Sequence, residues 1–177
     1  MSSADSVASD SVASGPAASG PAALGPMVLR TVQDTRAFGA ELGKQLRAGD
    51  LVVLTGDLGA GKTTLTQGLA QGLGVRGPVT SPTFVIARVH PSVVGGPALV
   101  HVDAYRLGGL DELDALDLDT SLEDCVTVVE WGHALADSLS ENVLEVILEA
   151  HLDSEERTVT VTGRGPRWRC RGSGGAR

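Results

Sequence analysis

Aromatic side chains are almost missing from this sequence: two Phe, two Trp and one Tyr make up 3% of its 177 residues. A core must therefore be built from Leu, Val and Ala, and at this length one such core fits where two would not. Cysteine is equally scarce. Cys125 and Cys170 are too few and too far apart for a disulfide framework or a zinc site, and they are read as reduced thiols. Basic charge is short too, with 14 Lys and Arg against 22 Asp and Glu for a net charge of −8. That balance argues against a dedicated nucleic-acid scaffold, because phosphate backbones are held by clustered cations. Any link to RNA then has to run through a partner. No run approaches the roughly 18 apolar residues of a membrane span. The first basic residue is Arg30, so a signal peptide would lack its charged start. The chain is read as cytoplasmic, with no membrane association.

What is present divides into three parts. Residues 1–26 hold Asp-Ser-Val-Ala-Ser twice and then Gly-Pro-Ala-Ala twice. Such small side chains bury too little surface to offset chain entropy, and the segment is read as a disordered leader. Residues 164–177 carry Arg164, Arg167, Arg169, Arg171 and Arg177 with no acid among them. They are read as a flexible basic tail, with Trp168 available for stacking if the tail touches RNA. Residues 27–163 form the domain between. There Val28 to Val32 reads as a strand, and Asp34 or Thr35 is placed to cap a helix with the stripe Phe38, Leu42 and Leu46. Leu51 to Thr55 is a continuous apolar run of strand length, of the kind buried on both faces of a parallel sheet. Leu65, Leu69 and Leu73 recur at helical spacing before Gly74, a C-terminal stop. Further strands are expected at Phe84 to Val89, Leu99 to Val102, Val126 to Val129, Val143 to Leu148 and Thr158 to Thr162, with a helix at Asp111 to Leu118. Strands alternating with helices predict an α/β layered sheet, mostly parallel, with helices on both faces and with antiparallel C-terminal strands.

Between the apolar strand and the Leu-periodic helix lies Gly56-Asp57-Leu58-Gly59-Ala60-Gly61-Lys62-Thr63, followed by Thr64. It satisfies G-x-x-x-x-G-K-[ST] in the strand-to-helix context that the motif requires, so the sheet is of the P-loop NTPase type. Glycines let the backbone curl until its N–H groups face phosphate oxygens, and the helix N-terminus adds a favourable dipole. Lys62 would reach the β and γ phosphates and the Thr63 hydroxyl would ligate magnesium, with ATP or GTP as the nucleotide. Magnesium also needs a carboxylate at a strand end. Asp103 and Glu130 both qualify, and spacing alone leaves open which holds the metal and which orients water. Thr80-Ser81-Pro82-Thr83 follows the helix as either a plain turn or a loop that senses the γ-phosphate. A second positive charge has only one internal candidate, Arg106.

These pieces together resemble the TsaE (YjeE) family, bacterial ATPases needed to make threonylcarbamoyladenosine in tRNA. The resemblance runs from about Val28 to Gly163. It rests on four ordered motifs: Gly-Asp-Leu-Gly-Ala-Gly-Lys-Thr-Thr at 56–64, Thr-Ser-Pro-Thr-Phe at 80–84, His-Val-Asp-Ala-Tyr-Arg at 101–106 and Glu-Trp at 130–131. It implies ATP and Mg2+ as cofactors, with Thr63 and Glu130 on the metal and Asp103 in hydrolysis. It further implies Ser81 and Thr83 in a switch-like loop and Trp131 as an aromatic beside the nucleotide. The implied partners are TsaD and TsaB, whose complex the ATPase resets between turnovers, tRNA being met only through them. Gly132 stands where the family commonly has proline. A small-molecule or nucleoside kinase is the alternative, but Arg76 to Arg106 holds only three arginines, spread apart, and no lid-sized insertion. A GTPase switch lacks its Asn-Lys-x-Asp guanine reader.

Overall fold

The computed structural model describes residues 23–82, 86–106, 123–132 and 140–168. Its elements are β1 (Ala23–Leu29), α1 (Val32–Gly43), β2 (Leu51–Thr55), α2 (Lys62–Leu73), β3 (Ala87–His90), β4 (Ala98–Asp103), β5 (Cys125–Glu130), β6 (Val143–Ala150) and β7 (Arg157–Arg164). Single 3-10 turns follow β4 and β7 at Ala104–Arg106 and Pro166–Trp168. The strands make one sheet in the order β1-β7-β6-β2-β5-β4-β3. The central four, β6, β2, β5 and β4, are parallel, whereas β7, β1 and β3 join antiparallel.

The phosphate-loop strand β2 is central because its sequence is apolar on both faces, and Leu51, Val52, Val53 and Leu54 are all buried. Val52 and Leu54 face the core shared with Leu42 of α1 and with Leu65, Leu69 and Leu73 of α2. Leu51 and Val53 face the opposite side, against Val100, Val102, Val129 and Val143. Both described helices pack on the first face; the helix expected at 111–118 lies outside the described residues. Helix α2 stops at Gly74, whose left-handed conformation (φ 67°) caps it as expected.

Several boundaries differ from the sequence reading, β3 for example beginning at Ala87, and three of the differences change the role of a segment. β1 begins at Ala23, inside the stretch read as a leader, and pairs with β7 from Ala23↔Thr162 to Leu29↔Arg157. Pro26 is tolerated because β1 is an edge strand whose register shifts between Leu24 and Met27, where no ladder donor is required. The cap of α1 is Thr31 and not Asp34 or Thr35. Its hydroxyl accepts the Asp34 N–H at 3.0 Å, while the Thr31 N–H donates to the Asp34 carboxylate at 3.0 Å, a reciprocal capping box. The tail does not begin at residue 164. Arg164 ends β7, Trp168 is 1% exposed in the main core, and Arg167 pairs with buried Asp50 through Nε at 3.1 Å and Nη2 at 3.2 Å. Trp168 is therefore a core residue and unavailable to stack on RNA.

Candidate functional site

At the carboxyl ends of the parallel strands, Leu54, Glu130 and Asp103 stand side by side in register. The chain leaves β2 there and turns through residues 56–61 into α2. Gly61 caps α2 with φ 105°, a conformation costly for residues with a Cβ, which leaves the first backbone N–H groups of the helix open to a ligand. The cleft over this turn has a volume of about 420 Å³. Leu58, Gly59, Gly61, Lys62, Thr63 and Thr64 line it from the loop side. Asp103, Glu130 and Trp131 line it from the other strand ends, Ser81 from the connection after α2, and Arg157 from the start of β7. Gly56 and Asp57 contribute carbonyls, and Ala60 is buried in the core beneath. Thr83 lies outside the described residues.

Lys62 is buried, and its Nζ donates to the carbonyl oxygens of Gly56 at 2.7 Å and Asp57 at 2.9 Å. The same ammonium lies 3.9 Å from the centroid of the Trp131 ring. Burial pushes its pKa down, while Glu130, Asp103 and Asp57 pull it back up. The loop thus holds a lysine whose hydrogen bonds go to carbonyls that a phosphate can replace.

Glu130 is 4% exposed, and its Oε1 accepts both the Thr63 hydroxyl at 3.1 Å and the His101 ring at 2.8 Å. An ionised carboxylate only accepts, so His101 carries its proton on Nε2; its Nδ1 has no partner among the described residues. His101 is fully buried and fixes Glu130 from beneath. One hydroxyl and one carboxylate, 3.1 Å apart beside a phosphate loop, form an oxygen donor pair that suits magnesium. No cluster of three or more His, Cys, Asp or Glu is arranged to hold a metal among the described residues. A cation here would complete its shell with phosphate oxygens and water, as magnesium does.

Asp103 is 5% exposed, and its Oδ1 accepts the Tyr105 N–H at 3.1 Å. Trp131 adopts φ 64°, uncommon for a side chain of this size, with its N–H bonded to the Leu54 carbonyl at 3.1 Å. Its ring tilts against Tyr105, with centroids 5.2 Å apart. Ser81 is exposed at the rim. The side chain of Arg106 is outside the described residues. The cation that sequence reasoning missed is Arg157, in no recognisable motif, brought to the cleft only by the pairing of β7 with β6.

The family described as "Threonylcarbamoyl adenosine biosynthesis protein TsaE" matches residues 29–159. A relative from Streptomyces coelicolor, named tRNA threonylcarbamoyladenosine biosynthesis protein TsaE, is 63% identical over 137 residues, which cover 75% of this chain and 93% of the relative. A Bacillus subtilis protein of the same name is 38% identical over 142 residues, 78% of this chain and 87% of its own length. The crystal structure of Bacillus subtilis YdiB superposes with a TM-score of 0.65 at 33% identity, covering 82% of this chain and 88% of that one. No helix among the described residues is long and apolar enough to cross a membrane.

Proposed function

The chain belongs to the TsaE family, and from that premise we propose that it is a magnesium-dependent ATPase serving threonylcarbamoyladenosine modification of tRNA. The observation that carries the reading is the meeting of Thr63 and Glu130 at the start of α2, beside a lysine that donates to loop carbonyls. A polyphosphate entering the loop takes the N–H groups at the start of α2 and draws Lys62 Nζ away from Gly56 and Asp57. Magnesium, when bound, neutralises charge on the β and γ phosphates. Thr63 and Glu130 would hold it, with His101 keeping the Glu130 carboxylate in place. Asp103, the next strand end along from Glu130, lines the same cleft and is assigned to orient the attacking water. Trp131 closes the cleft over Lys62, excluding water from the ammonium. Ser81 and Thr83 would report on the terminal phosphate.

The partners in this reading are TsaD and TsaB, which carry the tRNA chemistry, and hydrolysis resets their complex. The protein acts where they do, in the cytoplasm. The test is phosphate release from ATP with and without magnesium, and with increasing TsaD–TsaB complex. Turnover should be slow alone and rise with the partners, and Lys62→Ala should abolish it. Parent-like hydrolysis by Lys62→Ala would remove the phosphate-loop assignment, and full-speed hydrolysis without partners would remove the gating.

A further inference from the structure

Arg157 is not used in that mechanism, although it opens into the same cleft. It is the first residue of β7, reached after the 151–156 connection from β6. Its guanidinium is tied on one side to the Glu155 carbonyl. Its Nε stands 3.3 Å from the position a Cβ on Gly61 would take. The absence of a side chain at 61 is what gives the guanidinium room beside the loop.

The sheet order decides which end of a nucleotide Arg157 meets. Counting outward from β2, the strands β5 and β4 lie on one side, and they end in Glu130 and Asp103. The strands β6 and β7 lie on the other, and β7 begins with Arg157. A phosphate loop places the metal and the lysine at the β and γ phosphates, with the α-phosphate further along. If the carboxylates mark the γ end, the α-phosphate end runs toward β6 and β7. A guanidinium is always charged and presents planar donors matched to phosphate oxygens.

We propose that Arg157 is a nucleotide-binding residue that grips the α-phosphate end of the bound nucleotide, opposite the metal carboxylates. This rests on the nucleotide site proposed above. It makes Arg157 a contact common to ATP and ADP, and it separates Arg157 from a finger acting on the γ-phosphate.

The test uses the full chain and titrates ADP and a non-hydrolysable ATP analogue, both with magnesium, into the parent, Arg157→Gln and Arg157→Lys by calorimetry. Losing a charge-assisted hydrogen bond should weaken both nucleotides about tenfold and by the same factor in Arg157→Gln. Arg157→Lys should recover part of the loss, and the ADP affinity of Arg157→Gln should fall less steeply with added KCl than the parent's. At saturating ATP the single-turnover rate should fall by a smaller factor than the affinity does. Unchanged ADP affinity in both variants overturns the proposal and leaves the nucleotide site standing. So does weakening confined to the triphosphate together with a slower single turnover, which would make Arg157 a γ-phosphate finger. A parent that binds neither nucleotide overturns both readings. Should Arg157→Gln not fold, Arg157→Lys decides alone, since parent-like ADP affinity and salt dependence with a slowed turnover would again point to the γ-phosphate.

Discussion

Trp168→Ala tests whether the domain extends past residue 163. The side chain is 1% exposed in the core shared with α1, α2 and the sheet, and truncating a buried Trp costs about 3–5 kcal/mol. Two corrections act in opposite directions. The indole N–H has no partner among the described residues, so removing it returns about 1–3 kcal/mol of desolvation. The Arg167 guanidinium lies 4.2 Å from the ring centroid, and losing that contact costs about 0.5–1 kcal/mol. The net expectation is a loss of about 2–3 kcal/mol, a large share of the roughly 5–15 kcal/mol that a domain has. With a urea slope of about 1–3 kcal/mol per molar, the midpoint should drop by about 1–2 M. Urea unfolding followed by far-ultraviolet circular dichroism reads this directly. Trp168→Phe fills most of the volume and removes the unpartnered N–H, so it should cost less than half as much. Trp168→Ala within about 0.5 kcal/mol of the parent, or Phe costing as much as Ala, would refute the burial argument. A chain ending at Gly163 loses the Arg167–Asp50 pair as well and should be less stable still.

Glu130→Ala should weaken the magnesium dependence of nucleotide binding, whereas Asp103→Ala should leave ATP bound and slow hydrolysis; titrations of magnesium against both variants would reveal swapped roles. His101→Phe keeps a ring in place but removes the donor 2.8 Å from Glu130, and the magnesium affinity of the ADP complex should fall on the order of tenfold. Unaltered affinity there would leave His101 a packing residue. Burial holds the Asp50 carboxyl above its ordinary range against the pull of the Arg47 N–H and of Arg167. In the window between the unfolded value and that raised value the folded state binds the extra proton, so stability is lost as pH rises through it. Relative to Asp50→Asn, the parent's urea midpoint should decline across that window, and a relative rise would contradict the sign.

The part of the molecule legible in the sequence is local. The run Leu51 to Thr55, the loop and the Leu-periodic helix ending at Gly74 announce β2 and α2 because hydrophobic periodicity and the phosphate motif lie within one short stretch. Asp103 and Glu130 can be placed at strand ends for the same reason, although only the register shows that they stand side by side. What sequence reading missed is non-local. Arg167 and Asp50 are 117 positions apart, and nothing near Trp168 hints at a core beneath it. Gly25-Pro26 looks like linker until β7 gives β1 an edge to pair with. Thr31 and Asp34 have capping-box spacing, but a strand read on to Val32 hides the cap inside it.

The glycines outside the phosphate loop explain how the loop's own helix is held. Gly39 and Gly43 of α1 lie against Leu65, Gly68 and Leu69 of α2, and a Cβ on Gly39 would come within 2.5 Å of the Leu65 carbonyl oxygen. Gly68 and Gly72 return the contact against the Arg36 and Ala40 carbonyls. The two backbones therefore touch without intervening side chains, a spacing that larger residues would prohibit. Leu65 and Leu69, freed from the helix pair, point into the sheet core with Val52 and Leu54 directly beneath the loop. The N-terminus of α2, where the phosphates are proposed to bind, is thus fixed by backbone contact on one side and by the sheet on the other. Lys62 and Thr63 gain their aim from that clamp, since the backbone that carries them cannot move without moving a helix that α1 and the sheet both hold.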